Sequence, residues 1–474
     1  MTHLLEVDLC VVGGGLAGMT AAARGAQLGL RVVLLEQSAE ASYLCNSRMT
    51  NGIFHMALKS PAIGAEALEK AIAAASRGTA HPGLQRALAE DALRAVRWLQ
   101  SCGVRFMKAS AEPHHTFSLA PPSLHRNGPF DILGRAGDVM LRRLEAALLG
   151  AGGRLLRGRR ARELVVHEGA CRGVRGDGFE VRCDAVVIAD GGFQANPELV
   201  KQFGLSPRPD QVLQRNARTA RGDGLQMAVA AGAQLSQMRG FYGHLQCRDA
   251  LHNDALWPYP WLDLVAAAAI VVGPDGRRFA DEGRGGIFLA NRIAELEQPA
   301  GSFVVFDDVV WNGPGRTYIK PPNPRLVQRG GTLHVAPTLE ALAAQTGLPA
   351  DALVREVATY NAAHATGRLG ALEPARSVSG KPAFPILRAP FYAVPMVAGM
   401  THTMGGIAVD GCSRASREDG SVFRGLYAAG SCIGGVEGGE HAGYVGGLTR
   451  AAVTGLRAAE HAASLRPGAT PLAG

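Results

Sequence analysis

The chain has 474 residues, 47% hydrophobic and 19% charged, with 61 glycines spread along it rather than packed into one tract. That length exceeds one ordinary core, so two domains are expected, and that composition argues against a mainly disordered chain. The net charge of +8 is diffuse apart from "RGRRAR" (157–162), which has no aromatic or repeat beside it, so the run reads as a solvated strand edge and no nucleic-acid partner is expected.

The start, "MTHLLEVD", shows no basic segment or cleavage site, and the longest later apolar run, "LVAAAAIVVG" (264–273), is too short to span a bilayer. The expectation is a cytoplasmic protein without a membrane span. Eight cysteines without C-x-x-C or His-rich spacing predict reduced thiols and no metal.

The stretch "VDLCVVGGGLAGMTAAARGAQLGLRVVLLEQ" (7–37) reads as strand, glycine turn, helix and second strand. Gly13, Gly15 and Gly18 form G-x-G-x-x-G, whose glycines allow a tight turn, close approach of a pyrophosphate and close helix packing. The helix start then aims free N–H groups at phosphate. Glu36 ends the second strand, where a carboxylate accepts ribose hydroxyls. Dinucleotide binding follows, without a choice between NAD and FAD.

Further on stand "DAVVIADGGFQAN" (184–196), "RGDGLQMAVAAGA" (221–233) and "RGLYAAGSCIGGVEGGEHAGYVGGLTR" (424–450). With these the chain resembles, over nearly its whole length, the flavoproteins grouped with fumarate reductase, tricarballylate dehydrogenase and 3-ketosteroid dehydrogenase, nearest in pattern to tricarballylate dehydrogenase. The resemblance implies an α/β fold. A discontinuous Rossmann-like FAD-binding domain (1–238 and 388–474) would carry an inserted α+β capping domain (239–387). In the cap, 338–367 predicts two short helices begun by Thr338 and parted by Gly347 and Pro349, and 319–326 a connecting loop. The tail from 465 is expected to fray.

The resemblance also implies cofactor contacts at Ala189, Gly191, Asp223, Gly430 and Ser431, with Asp190 in place of the usual threonine and Ser431 in place of a glutamate. Ala161 joins them. Asn46, Ser47 and Gly52 would wrap the pyrophosphate and flavin. Cys45, Asn46 and Ser47 replace a Ser-His-Thr triplet that carries covalent FAD in some relatives, so FAD is expected to be non-covalent; His55 lies too far on to align. At the last helix start, Gly446, Gly447 and Leu448 would meet the flavin, the helix dipole stabilising its reduced anion.

For chemistry, the resemblance implies hydride exchange at a C–C/C=C pair next to a carbonyl or carboxyl group, with a small-molecule substrate and an unidentified electron partner. His402, in "GMTHTMGGI" (399–407), and His244, in "FYGHLQCRD" (241–249), would face substrate. Fumarate reductases carry an arginine proton donor four residues after the position of Glu282, and here that residue is Gly286; Arg284 is a nearby substitute. Their second arginine becomes Tyr444. With both dicarboxylate anchors absent, a substrate activated by a ketone, amide or single carboxyl is expected. Alternatives are a 3-ketosteroid-type dehydrogenase, an amine or hydroxy-acid oxidase, or a non-catalytic flavin-binding protein.

Overall fold

The structure, a computed structural model, describes residues 3–123, 129–318, 320–378, 380–439 and 441–466. Strand Leu9–Val12, helix Leu16–Gln27 and strand Val32–Glu36 form the expected βαβ unit, with Cys10 paired in parallel to Val33. Every residue of both strands is buried, as a sheet covered on two faces requires. Gly13 takes φ +102°, and a Cβ on Gly18 would stand 1.9 Å from the Gly13 carbonyl oxygen. The third glycine therefore presses the helix onto the turn.

Around this unit six strands run in the order Arg414–Ser416, Val422–Ala428, Ala185–Ile188, Leu9–Val12, Val32–Glu36 and Arg154–Arg157. All are parallel except the first. Chain order reverses beside Leu9–Val12, which opens a crevice at the carboxyl ends of the strands. The final helix, Gly447–Ser464, lies along Leu16–Gln27 so closely that a Cβ on Gly455 would come 2.4 Å from the Ala17 carbonyl oxygen.

A second sheet is built on the long strand Phe391–Thr403, which pairs with Leu213–Gln214, Phe241–Cys247 and Phe303–Asp307. The apolar interior divides into three clusters: one draws on residues 7–189, 227–233 and 407–463, another on 193–400, and a third on 270–393. Strand Phe391–Thr403 thus starts between the second and third clusters and delivers His402 to the border of the first. Its register sets Tyr242 opposite His402, with a bulge after Tyr242.

Two helices, Leu339–Thr346 and Ala350–Ala365, occupy the expected segment; Thr338 caps the first through Ala341 N–H, and Gly347 at φ +74° ends it. The expected loop at 319–326 instead becomes partly helical within Pro322–Gln328, broken at Asn323, whose backbone is extended (φ −94°, ψ 117°). Ile319 of that segment and residues 467–474 of the tail lie outside the described residues. Along the basic run, Arg157, Arg160 and Arg162 pair with Glu145, Asp223 and Asp177. Among the described residues, no helix is long and apolar enough to cross a membrane.

Candidate functional site

A cavity of about 620 Å³ runs from the Gly13–Leu16 turn, past Glu36 and Asp190, to Tyr444 and Gly447. At the turn, Gly14 N–H donates to Glu36 Oε2 (3.0 Å), Ser38 N–H to Glu36 Oε1 (2.9 Å), and Tyr43 donates to the Gly14 carbonyl (2.8 Å). Glu36 therefore shapes the turn besides facing the cavity. Burial raises its pKa, partly offset by those amides.

The other expected cofactor residues divide by position. Gly13, Gly15, Asn46, Ser47, Gly52, Ala161, Ala189, Gly191, Asp223, Gly430, Ser431, Gly447 and Leu448 line the cavity; Gly18 and Gly446 do not. Ser47 Oγ accepts from Leu16 N–H (2.9 Å) at the helix start. Asn46 ties distant backbone together, donating to the Thr401 carbonyl (2.8 Å) and accepting from Ala217 N–H (3.0 Å). Asp223 holds Arg160 by two bonds (2.6 and 2.9 Å). Gly446, at φ +140°, leaves room for the His55 backbone, 2.5 Å from where its Cβ would stand. Gly447 leaves room for His402, 3.3 Å from its Cβ position.

At the far end the rings of Tyr242 and Tyr444 stack, 3.9 Å apart and 14° from parallel. Tyr444 Oη accepts from Gly447 N–H (3.2 Å), which leaves its own proton available. The Tyr242 hydroxyl lies 2.9 Å from His244 Nε2, and His244 Nδ1 lies 2.7 Å from Asp263 Oδ2. Asp263 Oδ1 accepts from Leu245 N–H (2.8 Å). A carboxylate only accepts, so Nδ1 carries hydrogen and the neutral ring presents a bare Nε2 to the phenol. Burial lowers the His244 pKa against the pull of Asp263, and burial raises those of Tyr242 and Tyr444.

Gly286 explains why Asp263 fits. A Cβ on Gly286 would stand 2.1 Å from Asp263 Cγ, so the position where fumarate reductases were expected to carry their arginine is vacated for this carboxylate. Arg284 also lines the cavity; it donates to His441 Nδ1 (2.8 Å) and covers the Phe288 ring at 3.5 Å. Glu282, in the same motif, is fully buried against Arg278 (2.6 Å) and away from the cavity.

His402 Nε2 lies 3.6 Å from Glu437 Oε2, an ion-pair separation too long for a hydrogen bond. Burial lowers the His402 pKa, and Glu437 pulls it back. Glu437 accepts from Val445 and Gly446 N–H (both 2.7 Å) and binds Arg450 at 2.5 Å. Burial alone would raise its pKa, but Arg450 and the other donors hold it at about 2. His55 stands edge-on to Tyr444 at 5.5 Å, with its pKa pushed down to about 4 by burial. Sequence reasoning passed over Tyr242, Asp263, Glu437, Trp261 and Arg215. Of these Tyr242 carried a signal, being two residues from His244 on a strand and so on the same face.

The wall suits a dinucleotide. The helices Leu16–Gln27 and Gly447–Ser464 both begin on a glycine N-cap, so no N-cap side chain fills the space before them, while Ser47 and Tyr444 take the Leu16 and Gly447 N–H groups. Asp190 Oδ1 and Gln194 Oε1 are buried in the wall without a hydrogen-bond partner. Gly13 and Gly15, Glu36 and the Ala189–Gly191 turn would hold the adenosine and pyrophosphate, with Gly447 and Leu448 at the flavin end.

A family model described as an FAD binding domain matches residues 8–444. The NADH:acrylate oxidoreductase of Vibrio harveyi is 29% identical over 315 residues, 65% of this chain and 30% of that protein. The 3-oxosteroid 1-dehydrogenase of Mycobacterium tuberculosis (strain ATCC 25618 / H37Rv) is 29% identical over 314 residues, 59% of this chain and 52% of that one. The chain thus spans less than two thirds of the length of either curated relative. The solved structure of a flavocytochrome c3 fumarate reductase in its open conformation superposes with a TM-score of 0.68 at 23% identity, covering 97% of this chain and 78% of that one, a likeness of fold.

Proposed function

The chain belongs to the FAD binding domain family and takes FAD as its cofactor; on that premise we propose an oxidoreductase that interconverts C–C and C=C bonds next to a carbonyl or carboxyl group. The observation that carries this reading is the line Asp263, His244, Tyr242, which ends inside the cavity against Tyr444. Bound FAD supplies the hydride exchange at one carbon of the pair. Tyr242 Oη accepts the proton from the neighbouring carbon while its own proton passes to His244 Nε2, and Asp263 stabilises the imidazolium. In the opposite direction the same protons return. Tyr444 donates to the activating oxygen, with His402 beside it. Residues 1–238 and 388–474 hold the cofactor, and 239–387 covers the substrate and excludes water.

Photoreduction of the holoprotein followed by anaerobic addition of enones and enoates tests the proposal. Saturable re-oxidation by a member of the panel is expected. A protein that returns electrons only to generic oxidants such as ferricyanide is a flavin-binding module instead.

FAD is expected to be non-covalent, since the Cys45, Asn46, Ser47 run lacks the histidine triplet. Acid precipitation should leave the yellow colour in the supernatant. Flavin that stays with the pellet and survives denaturing electrophoresis points to attachment, with His55 the residue to map first.

FAD binding is also expected to depend on pH through Asp190. Burial pushes this carboxyl up to about 7; Gly224 N–H draws it down, and Asp223 and Glu36 push it further up. A bound pyrophosphate nearby would favour the protonated carboxyl still more, so FAD should bind more tightly where Asp190 is protonated, and this advantage fades as pH rises through about 7. The Kd for FAD should rise about 3- to 10-fold between about pH 6 and about pH 8. Asp190→Asn should flatten that profile. A wild-type Kd that is flat over this range removes Asp190 from the phosphate environment.

A further inference from the structure

Arg215 is 7% exposed and follows strand Leu213–Gln214, its amide donating to the Met400 carbonyl (2.9 Å). Its stem lies on Gly399, where a Cβ would come 3.2 Å from Arg215 Cδ. The head reaches the cavity wall. There Nη1 donates to Thr401 Oγ1 (2.8 Å) and Nη2 to the Pro258 carbonyl (3.4 Å), while Nε is buried with no partner. Each of the other buried arginines has a carboxylate: Arg48 has Asp138, Arg278 has Glu282 at 2.6 Å, Arg450 has Glu437 at 2.5 Å, and Arg376 shares Glu282 at 3.9 Å. Among the described residues Arg215 has no ion pair. A guanidinium carries five donors and stays charged, and burying that charge without an anion is costly.

The surroundings say what kind of anion fits. The guanidinium lies 5.4 Å from the Trp261 ring centre. Trp261 stacks on His244 (3.7 Å, 10°) and continues to Tyr259 (4.9 Å, 25°) and Tyr318 (5.5 Å, 30°). Flat aromatic walls accept a planar, conjugated ligand, and a fork of N–H donors at their edge accepts a carboxylate. We propose that Arg215 binds a carboxylate of the substrate, so that the site takes a flat, unsaturated monocarboxylate. This rests on the reading that the cavity is where the reaction occurs. It supplies a cationic anchor in place of the two arginine positions now held by Gly286 and Tyr444.

The test measures binding to the oxidised holoprotein by perturbation of the flavin spectrum, which needs no turnover. The probes are trans-cinnamate and trans-crotonate, each beside its methyl ester. Each acid should bind about 10²-fold tighter than its ester, cinnamate more tightly than crotonate, because a site built around a charged partner rejects the analogue that lacks it. Arg215→Met should cancel the preference for acid over ester with ester binding unchanged, and Arg215→Lys should restore part of it. Acids that bind no tighter than their esters, or a preference that survives in Arg215→Met, overturn the assignment. So does loss of FAD from Arg215→Met with the preference intact in the fraction that keeps it, since the guanidinium would then serve the cofactor. Acid binding through Arg215 without re-oxidation of photoreduced flavin by any enone or enoate would sink the catalytic reading and leave this one standing. Enone turnover without acid preference would do the reverse.

Discussion

Tyr242→Phe is expected to slow exchange of electrons between substrate and bound FAD by about 10³-fold, the range of a lost general acid or base. The variant keeps the ring that stacks on Tyr444 at 3.9 Å, so FAD content, folding and substrate affinity should change little. What disappears is the oxygen between the cavity and His244 Nε2. A solvent isotope effect on the wild-type rate should vanish or fall in the variant as the proton finds a slower path. The pH profile follows from His244. Its neutral ring must accept the proton during dehydrogenation, and burial holds its pKa below the ordinary histidine value. The rate should therefore be flat through neutral pH and fall in acid, where the ring is already protonated. Asp263→Asn removes a group that raises this pKa, so the acid limb should move to lower pH as the plateau drops. Wild-type rates in Tyr242→Phe would return the proton step to another group, with His402 next in line.

Tyr444→Phe should lower the same rate by about 10²- to 10³-fold, the loss that follows removal of one donor to a developing oxyanion. Its hydroxyl accepts from Gly447 N–H and so can direct its proton at the substrate. The loss should appear in kcat more than in binding, because a neutral phenol holds an enolate-like oxygen better than a ground-state carbonyl. His402→Ala should give a comparable loss. The double variant should fall short of the product if both side chains serve one oxygen. If Tyr444→Phe turns over normally while Tyr444→Ala sheds FAD, the ring is a wedge between His55 and Tyr242 and the phenol has no chemical part.

The local chemistry of the chain made much of this legible. Gly13 and Gly18 are needed by backbone conformation and packing within one βαβ unit, a contact of residues near in sequence, and strand–turn–helix periodicity announces it. Thr338 and Gly347 mark helix ends for equally local reasons. The resemblance brought His402, His244 and Tyr444 to notice, and all three line the cavity.

Burial and long-range pairing were not legible. Arg215 is one of 49 Lys and Arg residues, and nothing in its sequence neighbours says that it would end beside an aromatic wall with no ion pair among the described residues. Glu437 sits in a glycine-rich stretch that resembles a cofactor turn, yet it closes on Arg450 and His402. The absence of a side chain at Gly286 could be counted from the sequence, but its meaning could not. Only the folded chain brings Asp263 into that space and sets a carboxylate, an imidazole and a phenol in one hydrogen-bonded line. Periodicity and backbone freedom made the βαβ unit and its dinucleotide turn readable from the chain, and the flavin family followed from the resemblance of its motifs. Which distant charges pair, as Glu437 with Arg450 and Asp263 with His244, follows only from the folded chain, since those segments meet only once they are buried together.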